Sequence, residues 1–458
     1  MFTMSKKECF SLLGRSFTIL PRVLTGTSDE TRARTNQNTT GKIMNNPNHH
    51  KLRNKILCAS LVLAFSACGG VATAGSIKSV GTMTFADANT VIIADWRAGE
   101  IHALQLPPSA SVAAKPFNLK NVSAPIAKAL NTKPDKLRFE DMAFRPGAEL
   151  AYITVSVDRG KSVPTPALVS VDAEGKVSVI NLSKTPHTSV EVKDRPAADK
   201  VLWRNVPEAS FIATDMKFYD GKLYVAGLSN QKFASTLRIF DFPFKGDATA
   251  TSIEMYHAVH NQNETRAPIR KMTVVTLNGE PSLVAAYTCT PLVTIPLKDL
   301  KDGAHVTGKT IAELGWGSAP VDMVTFDAGQ GPMVLLINSR KSADLMSVAS
   351  IAEASAQPGL TTPIKLPNEP LLGLKSVSIP MTGIAQLSDE NKEFLGALRP
   401  NTETGDMELV SIRKGAFLRL SDFVSEFDFA DYRYRPEDPW HGNHKMLRTD
   451  EGYSDLAR

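Results

Sequence analysis

Few side chains in this 458-residue sequence have the chemistry of a nucleophile or a soft metal ligand. Beyond residue 74 a single cysteine remains, Cys289. It can act as a nucleophile only with a neighbouring base and a depressed pKa, and otherwise it is a buried strand thiol. The histidines form two close pairs, His257-Ala-Val-His260 and Trp440-His441-Gly-Asn-His444. Neither carries the glutamate of H-E-x-x-H, so both read as solvated or backbone-bonded histidines rather than a zinc site. Four acids, Glu140, Asp141, Asp215 and Asp322, sit at the starts of apolar alternating runs. Converging there, their oxygens would suit Ca²⁺, although Thr82 and Lys271 at the equivalent positions oppose a full ring of acids. The alternative use for these acids is to pair with arginines and lock neighbouring elements together.

Those arginines come from a second recurring feature. Short loops after apolar runs read Asp95-Trp96-Arg97, Asp158-Arg159-Gly160, Asn230-Gln231-Lys232, Asn338-Ser339-Arg340-Lys341 and Leu398-Arg399-Pro400, whereas Tyr287-Thr288-Cys289-Thr290 lacks a base. Gathered around one mouth, Arg97, Arg159, Lys232, Arg340 and Arg399, with Trp96, would bind a carboxylate, phosphate or sulfate, because guanidinium forks match those groups. No G-x-S-x-G elbow, Walker loop or C-x-x-C-H appears, which removes the hydrolase elbow, the P-loop NTPases and covalent c-type haem.

The elements that must position these residues are strands. Six apolar-polar runs open with Met or Ile: Thr82-Met83-Thr84-Phe85, Asp141-Met142-Ala143-Phe144, Asp215-Met216-Lys217-Phe218, Lys271-Met272-Thr273-Val274, Asp322-Met323-Val324-Thr325 and Gly383-Ile384-Ala385-Gln386. Each is followed by a second alternating run: Ile101-His102-Ala103-Leu104, Leu168-Val169-Ser170-Val171, Leu237-Arg238-Ile239, Leu292-Val293-Thr294-Ile295, Leu345-Met346-Ser347-Val348 and Leu409-Val410-Ser411-Ile412. Period-two alternation is the mark of a half-buried strand. Asp220-Gly221 and Asn278-Gly279 between such runs are hairpin signals. With a further run after each pair, for instance 177–182, 253–256 and 417–420, every repeat predicts four antiparallel strands. The methionines read as filler between wedge-shaped sheets.

A four-stranded sheet of this size buries its faces only by stacking on others. The repeat form resembles the periplasmic β-propellers with YVTN-like or quinoprotein-like repeats. That resemblance implies an all-β ring over residues 75–423, with six blades of four antiparallel strands, or seven if 183–210 holds a degenerate one. Irregular insertions are expected at 120–137, with a short helix over 123–131, at 183–210 and at 354–380, followed by an aromatic, charged tail at 424–458.

The leader points to export. Lys51, Arg53 and Lys55 precede an apolar run over 56–67, too short to span a bilayer, and Ala72-Thr73-Ala74 offers a cleavage site. Met44 makes a normal start, which leaves 1–43 as an upstream extension and 44–74 as the signal peptide. Phe65-Ser66-Ala67-Cys68 offers the alternative of acylation at Cys68 and an outer-membrane lipoprotein. Residues 1–74 hold ten Lys/Arg and three Asp/Glu; subtracting these from 52 and 47 leaves 42 against 44, so the excess positive charge is confined to the leader. Nucleic acid is therefore not an expected partner. The sequence predicts a periplasmic or secreted binding or assembly module for an anionic small molecule or a periplasmic protein. The alternatives are a metal-dependent, lactonase-like hydrolase and the scaffold subunit of a periplasmic quinoprotein oxidoreductase.

Overall fold

The computed structural model describes residues 76–109, 115–327, 329, 331–365 and 371–414, all within one compact unit, Ala67–Arg458. The leader, Cys68, the 417–420 run and the 424–458 tail lie outside the described residues.

The fold is all-β and propeller-like. It has four sheets of four strands and one of ten, the latter containing two four-stranded runs joined by a parallel pairing of Thr249–His257 with His305–Leu314. Named by their innermost strands, the four-stranded groups are I (Met83–Asp87), II (Leu137–Phe144), III (Asp215–Tyr219), IV (Ile269–Leu277), V (Pro320–Asp327) and VI (Gln386–Asp389). The hairpin signals are honoured in detail. Asp220 and Gly221, and Asn278 and Gly279, all have positive φ, as a two-residue turn between right-twisted strands requires. The five repeated methionines of the inner strands are buried.

Neighbour relations among the inner strands do not follow chain order. They run II, I, III, IV, V, VI and back to II. Separate apolar clusters fill the contacts: Met83 and Tyr152 between I and II, Ile92 and Val225 between I and III, Met272 and Tyr224 between III and IV. The others are Met323 and Val284 between IV and V, Val324 and Leu387 between V and VI, and Phe144 and Leu398 between VI and II.

This order requires two strand loans, and both correct the expectation of consecutive four-stranded repeats. Group I ends with His187–Glu191, which pairs with Glu100–Gln105 only after the chain has built group II. Group VI ends with Asn118–Leu119, which pairs with Met407–Arg413 from the opposite part of the sequence. The 183–210 segment thus contributes an outer strand to group I, and the 120–137 insertion carries the helix Ser123–Ala129 that follows the loan to group VI.

The contact between II and VI shows how tightly the groups fit. Phe144 packs edge-on against Phe117 at 5.3 Å, and a Cβ on Gly396 would stand 2.0 Å from Phe144 Cε2. Gly396→Ala should cost about 1–3 kcal/mol by overpacking, and Phe144→Ala about 3–5 kcal/mol by leaving a cavity. Urea unfolding of the double variant should cost less than the sum of the single ones, since the added methyl fills space the ring has left. Strict additivity would mean the two residues do not share that space.

Candidate functional site

The six inner strands bring one position each to a common centre: Thr82, Asp141, Asp215, Lys271, Asp322 and Gln386. In ring order the three aspartates, from II, III and V, alternate with Thr82, Lys271 and Gln386. Each aspartate accepts a backbone N–H from the adjoining inner strand. Met83 N donates to Asp141 Oδ2 at 2.7 Å, Met272 N to Asp215 Oδ2 at 2.8 Å and Leu387 N to Asp322 Oδ2 at 2.8 Å. The loop arginines are not their partners. Lys271 is, with Nζ 3.8 Å from Asp215 Oδ1 and 3.9 Å from Asp322 Oδ1, and Lys217 approaches Asp215 Oδ2 at 3.8 Å.

Burial alone would depress the Lys271 ammonium's pKa, but Asp322, Asp215 and Asp141 outweigh it and the pKa is raised. Burial pushes Asp141 up to about 6, opposed by Lys271 and reinforced by the charge of Asp322. The position at which the acids were expected to gather around Ca²⁺ thus holds the side chain of Lys271. Glu140, the fourth acid, is held by Arg138 at 2.6 Å.

Above these residues opens a cavity of about 620 Å³, lined by parts of all six groups. Strand irregularities shape its wall. Register shifts fall between Phe139 and Asp141, Ile269 and Lys271, and Pro320 and Asp322, and the residues they displace, Glu140, Arg270 and Val321, all line the cavity. A bulge re-aims a side chain in this way. Arg270 is the consequential one. Its guanidinium has no hydrogen bond or ion pair among the described residues; it lies 5.8 Å over the Phe211 ring, and burial lowers its pKa. Thr82 Oγ1 and Gln386 Oε1 are buried on the same wall without a hydrogen-bond partner. Gln386 Nε2 donates to Glu140 O at 2.9 Å, which fixes Oε1 as a free acceptor.

Cys289 also lines this cavity. It occupies the loop between Glu280–Tyr287 and Pro291–Pro296 with φ of +79°. Of the seven non-glycine residues with positive φ among the described residues, five are Asn or Asp, which tolerate that region, and Cys289 is not of that kind. Behind it stands His257, almost wholly buried at the end of the outer strand of group III. His257 Nδ1 lies 2.9 Å from Glu264 Oε1, and Nε2 lies 3.2 Å from Thr290 Oγ1. Thr290 in turn donates to Glu313 Oε2, whose other oxygen accepts Ala258 N at 2.6 Å. Burial works against the charged imidazole, but Cys289, Glu264 and Glu313 outweigh it and raise His257 to about 9. Glu264, bonded chiefly by His257, falls to about 2. Burial raises Glu313. Proximity to His257 lowers the Cys289 thiol; the nearest hydrogen-bonding neighbour of Nε2 is Thr290 Oγ1, with the thiol a looser neighbour of the same ring.

His257, His260 and Glu264 place donor atoms within 4.8 Å of one another, a spacing that a metal ion can bridge. Both Nδ1 atoms are here directed at the same Glu264 oxygen. The second pair, His441 and His444, lies outside the described residues. His102 is fully buried beside Asp95 and Glu100.

The loop cations have individual fates. Arg97 stacks on Trp96 at 4.2 Å, and Lys232 stands 5.7 Å over Phe233. Arg159 donates to Leu130 O and Asn131 O at the end of the helix, and Arg399 Nε donates to Glu408 at 3.1 Å. Arg340 is exposed beside Ser339. None of the five lines the axial cavity. Sequence reasoning missed Arg270, because a bulge has no signature in residue types. It named Cys289 and His257 separately without joining them. The available signal was that one ends the fourth strand of a repeat and the other lies in the second loop of the next.

No protein-family model matches the chain, and no curated protein does. Among solved structures it is similar to Raptor of Chaetomium thermophilum, at 11% identity and TM-score 0.32, over 74% of this chain and 28% of that one. It is also similar to a glucose dehydrogenase, at 8% and 0.30, over 74% and 98%. A third is hydrazine synthase of Kuenenia stuttgartiensis, at 10% and 0.29, over 76% and 99%. No helix among the described residues is long and apolar enough to cross a membrane.

Two tests follow from these charges. Lys271→Met leaves buried carboxylates uncompensated and should cost about 3–5 kcal/mol in urea unfolding at pH 8. The cost should shrink at pH 5, where Asp141 is protonated; a small, pH-independent loss would contradict the network. A histidine raised above its ordinary value stabilises the fold fully below pH 6.5 and loses that contribution as pH rises through 9. Stability should therefore decline as pH rises from 6.5 through 9, and His257→Gln should flatten the profile.

Proposed function

We propose that the chain is an exported six-bladed β-propeller whose axial cavity binds a small organic anion that also offers a hydrogen-bond donor. The observation that carries this reading is Arg270, a half-buried guanidinium on the cavity wall with no hydrogen bond or ion pair among the described residues. A guanidinium that the protein leaves without a hydrogen bond can take a bound carboxylate with two parallel hydrogen bonds. The orphaned Gln386 Oε1 asks for a donor, and Thr82 Oγ1 can give or accept. A hydroxy- or amino-carboxylate answers all three. The count of six rests on the closed cycle of inner strands and on the division of the ten-stranded sheet at its parallel pairing.

Arg97, Lys232 and Arg340 belong to the same class of loops as Cys289 and Ser339, so in this reading they steer anions toward the mouth. Export rests on the Lys51, Arg53 and Lys55 cluster with the apolar run behind it.

Titration calorimetry with glycolate, malate, tartrate, citrate and glycine, against acetate and phosphate, tests the reading. At least one hydroxy- or amino-carboxylate should bind, Arg270→Ala should weaken it at least tenfold, and Arg97→Ala should slow association without a comparable loss of affinity. Equal affinity in the Arg270→Ala protein would overturn the assignment.

A further inference from the structure

We propose that Cys289 is a nucleophile that forms a covalent acyl intermediate with a small anionic ester or thioester held in the axial cavity, with His257 as its proton-transfer partner and Glu264 as the residue that orients His257. The proposal rests on the anion-binding reading of that cavity and extends it from binding to chemistry.

Three independent observations support it. Cys289 is half-buried in the wall of a cavity to which all six groups contribute, and Arg270 lines the same wall. Its backbone is in the left-handed region in a residue type that gains nothing from being there. Such strain persists where the surroundings over-determine the conformation; glycine or asparagine at this position would be less strained. Finally, the segment that carries the thiol lies against a base through Thr290, and a third group fixes the other nitrogen of that base, the order of parts that activates a nucleophile. Glu264 takes His257 Nδ1 at 2.9 Å, which leaves Nε2 on the side of the Cys289-Thr290 segment, where Thr290 Oγ1 lies 3.2 Å away. The lowered thiol and raised imidazole agree with a thiolate–imidazolium pair. The groups facing His257 are Glu264 and His260 from the following hairpin, Thr290 and Cys289 from group IV, and Glu313 from the outer strand of group IV.

The step balances without an external redox partner. The thiolate pair forms a C–S bond at the acyl carbon. The bond to the alcohol or thiol leaving group breaks, and that group departs with the proton from His257. Water then attacks the thioester and gives a proton to His257 as the C–S bond breaks, which returns the thiolate–imidazolium pair and releases the acid. The net reaction is ester plus water to acid plus alcohol. The acyl portion carries the carboxylate that Arg270 holds, so a half-ester of a dicarboxylic acid is the simplest substrate of this class.

Two readouts on the full chain test the proposal, each assigned to Cys289 by peptide mapping. The first is the rate of iodoacetamide alkylation against pH. Cys289 should react at pH 6.5 at least tenfold faster than glutathione, and His257→Gln should remove that advantage. The second is a stopped-flow burst with the p-nitrophenyl half-ester of succinic acid. One nitrophenolate per chain should be released with a succinyl adduct on Cys289, and Cys289→Ser should show no thiol-bound adduct. Arg270→Ala should keep the burst but demand at least tenfold more ester. A burst unaffected by Arg270→Ala would sink the anion-binding reading and leave the nucleophile standing. Anion binding with an unreactive Cys289, or a stoichiometric metal bound through His257 with no adduct, would overturn the nucleophile and leave the binding site.

Discussion

The arrangement depends on one buried ammonium. Lys271 approaches Asp215 and Asp322 and influences Asp141, and each of those carboxylates is also bound to the backbone of an adjoining inner strand. A carboxylate in that environment is tolerable only while it is compensated and hydrogen-bonded. The charge and the strand edges therefore stabilise each other: removing the ammonium penalises the acids, and moving a strand removes their backbone donors. A site built on such a floor inherits its rigidity, which is what a cavity with fixed donors and acceptors needs.

The second constraint is closure. Inner strands that neighbour one another in the order II, I, III, IV, V, VI oblige the chain to leave group I unfinished, give Asn118–Leu119 to group VI, build group II, and only then return with His187–Glu191. Asn118–Leu119 and Met407–Arg413, from opposite parts of the chain, are thereby paired in the same sheet. The alternation of acids with Thr82, Lys271 and Gln386 around the centre exists only in this spatial order; in chain order the acids are irregularly spaced. Period-two runs and the two hairpin dipeptides were legible in the sequence because they record local backbone geometry. Which repeat accepts a two-residue strand such as Asn118–Leu119 is decided by shape at a distant edge, and no local pattern encodes it.

The site divides along the same line. Asp141, Asp215 and Asp322 stood out as recurring acids, and their convergence was expected. Their partner was not, because a lysine at an equivalent position reads as the exception that spoils a ring of ligands, whereas in space it sits between two of them. Arg270 was invisible for another reason. It precedes Lys271 in a strand whose alternation should send it to the opposite face from its neighbour, and the register shift between Ile269 and Lys271 frees it from that rule. The loop arginines, conspicuous as a series, are individually engaged: Arg159 satisfies helix-end carbonyls, Arg399 pairs with Glu408, and Arg97 lies on Trp96.

Cys289 and Arg270 belong to the same group and line the same wall, which limits how a ligand sits between them. A ligand whose anionic group is drawn to the guanidinium therefore meets Cys289 with a different part of the molecule. The imidazolium of His257 stands behind the Cys289-Thr290 segment, restrained by Glu264. Positive charge thus stands at Arg270 within the cavity and at His257 behind the Cys289-Thr290 segment. The strained loop gives this arrangement its geometry: a left-handed Cys289 between Tyr287 and Pro291 turns one residue out of the ladder while Thr290 remains tied to His257 and Glu313.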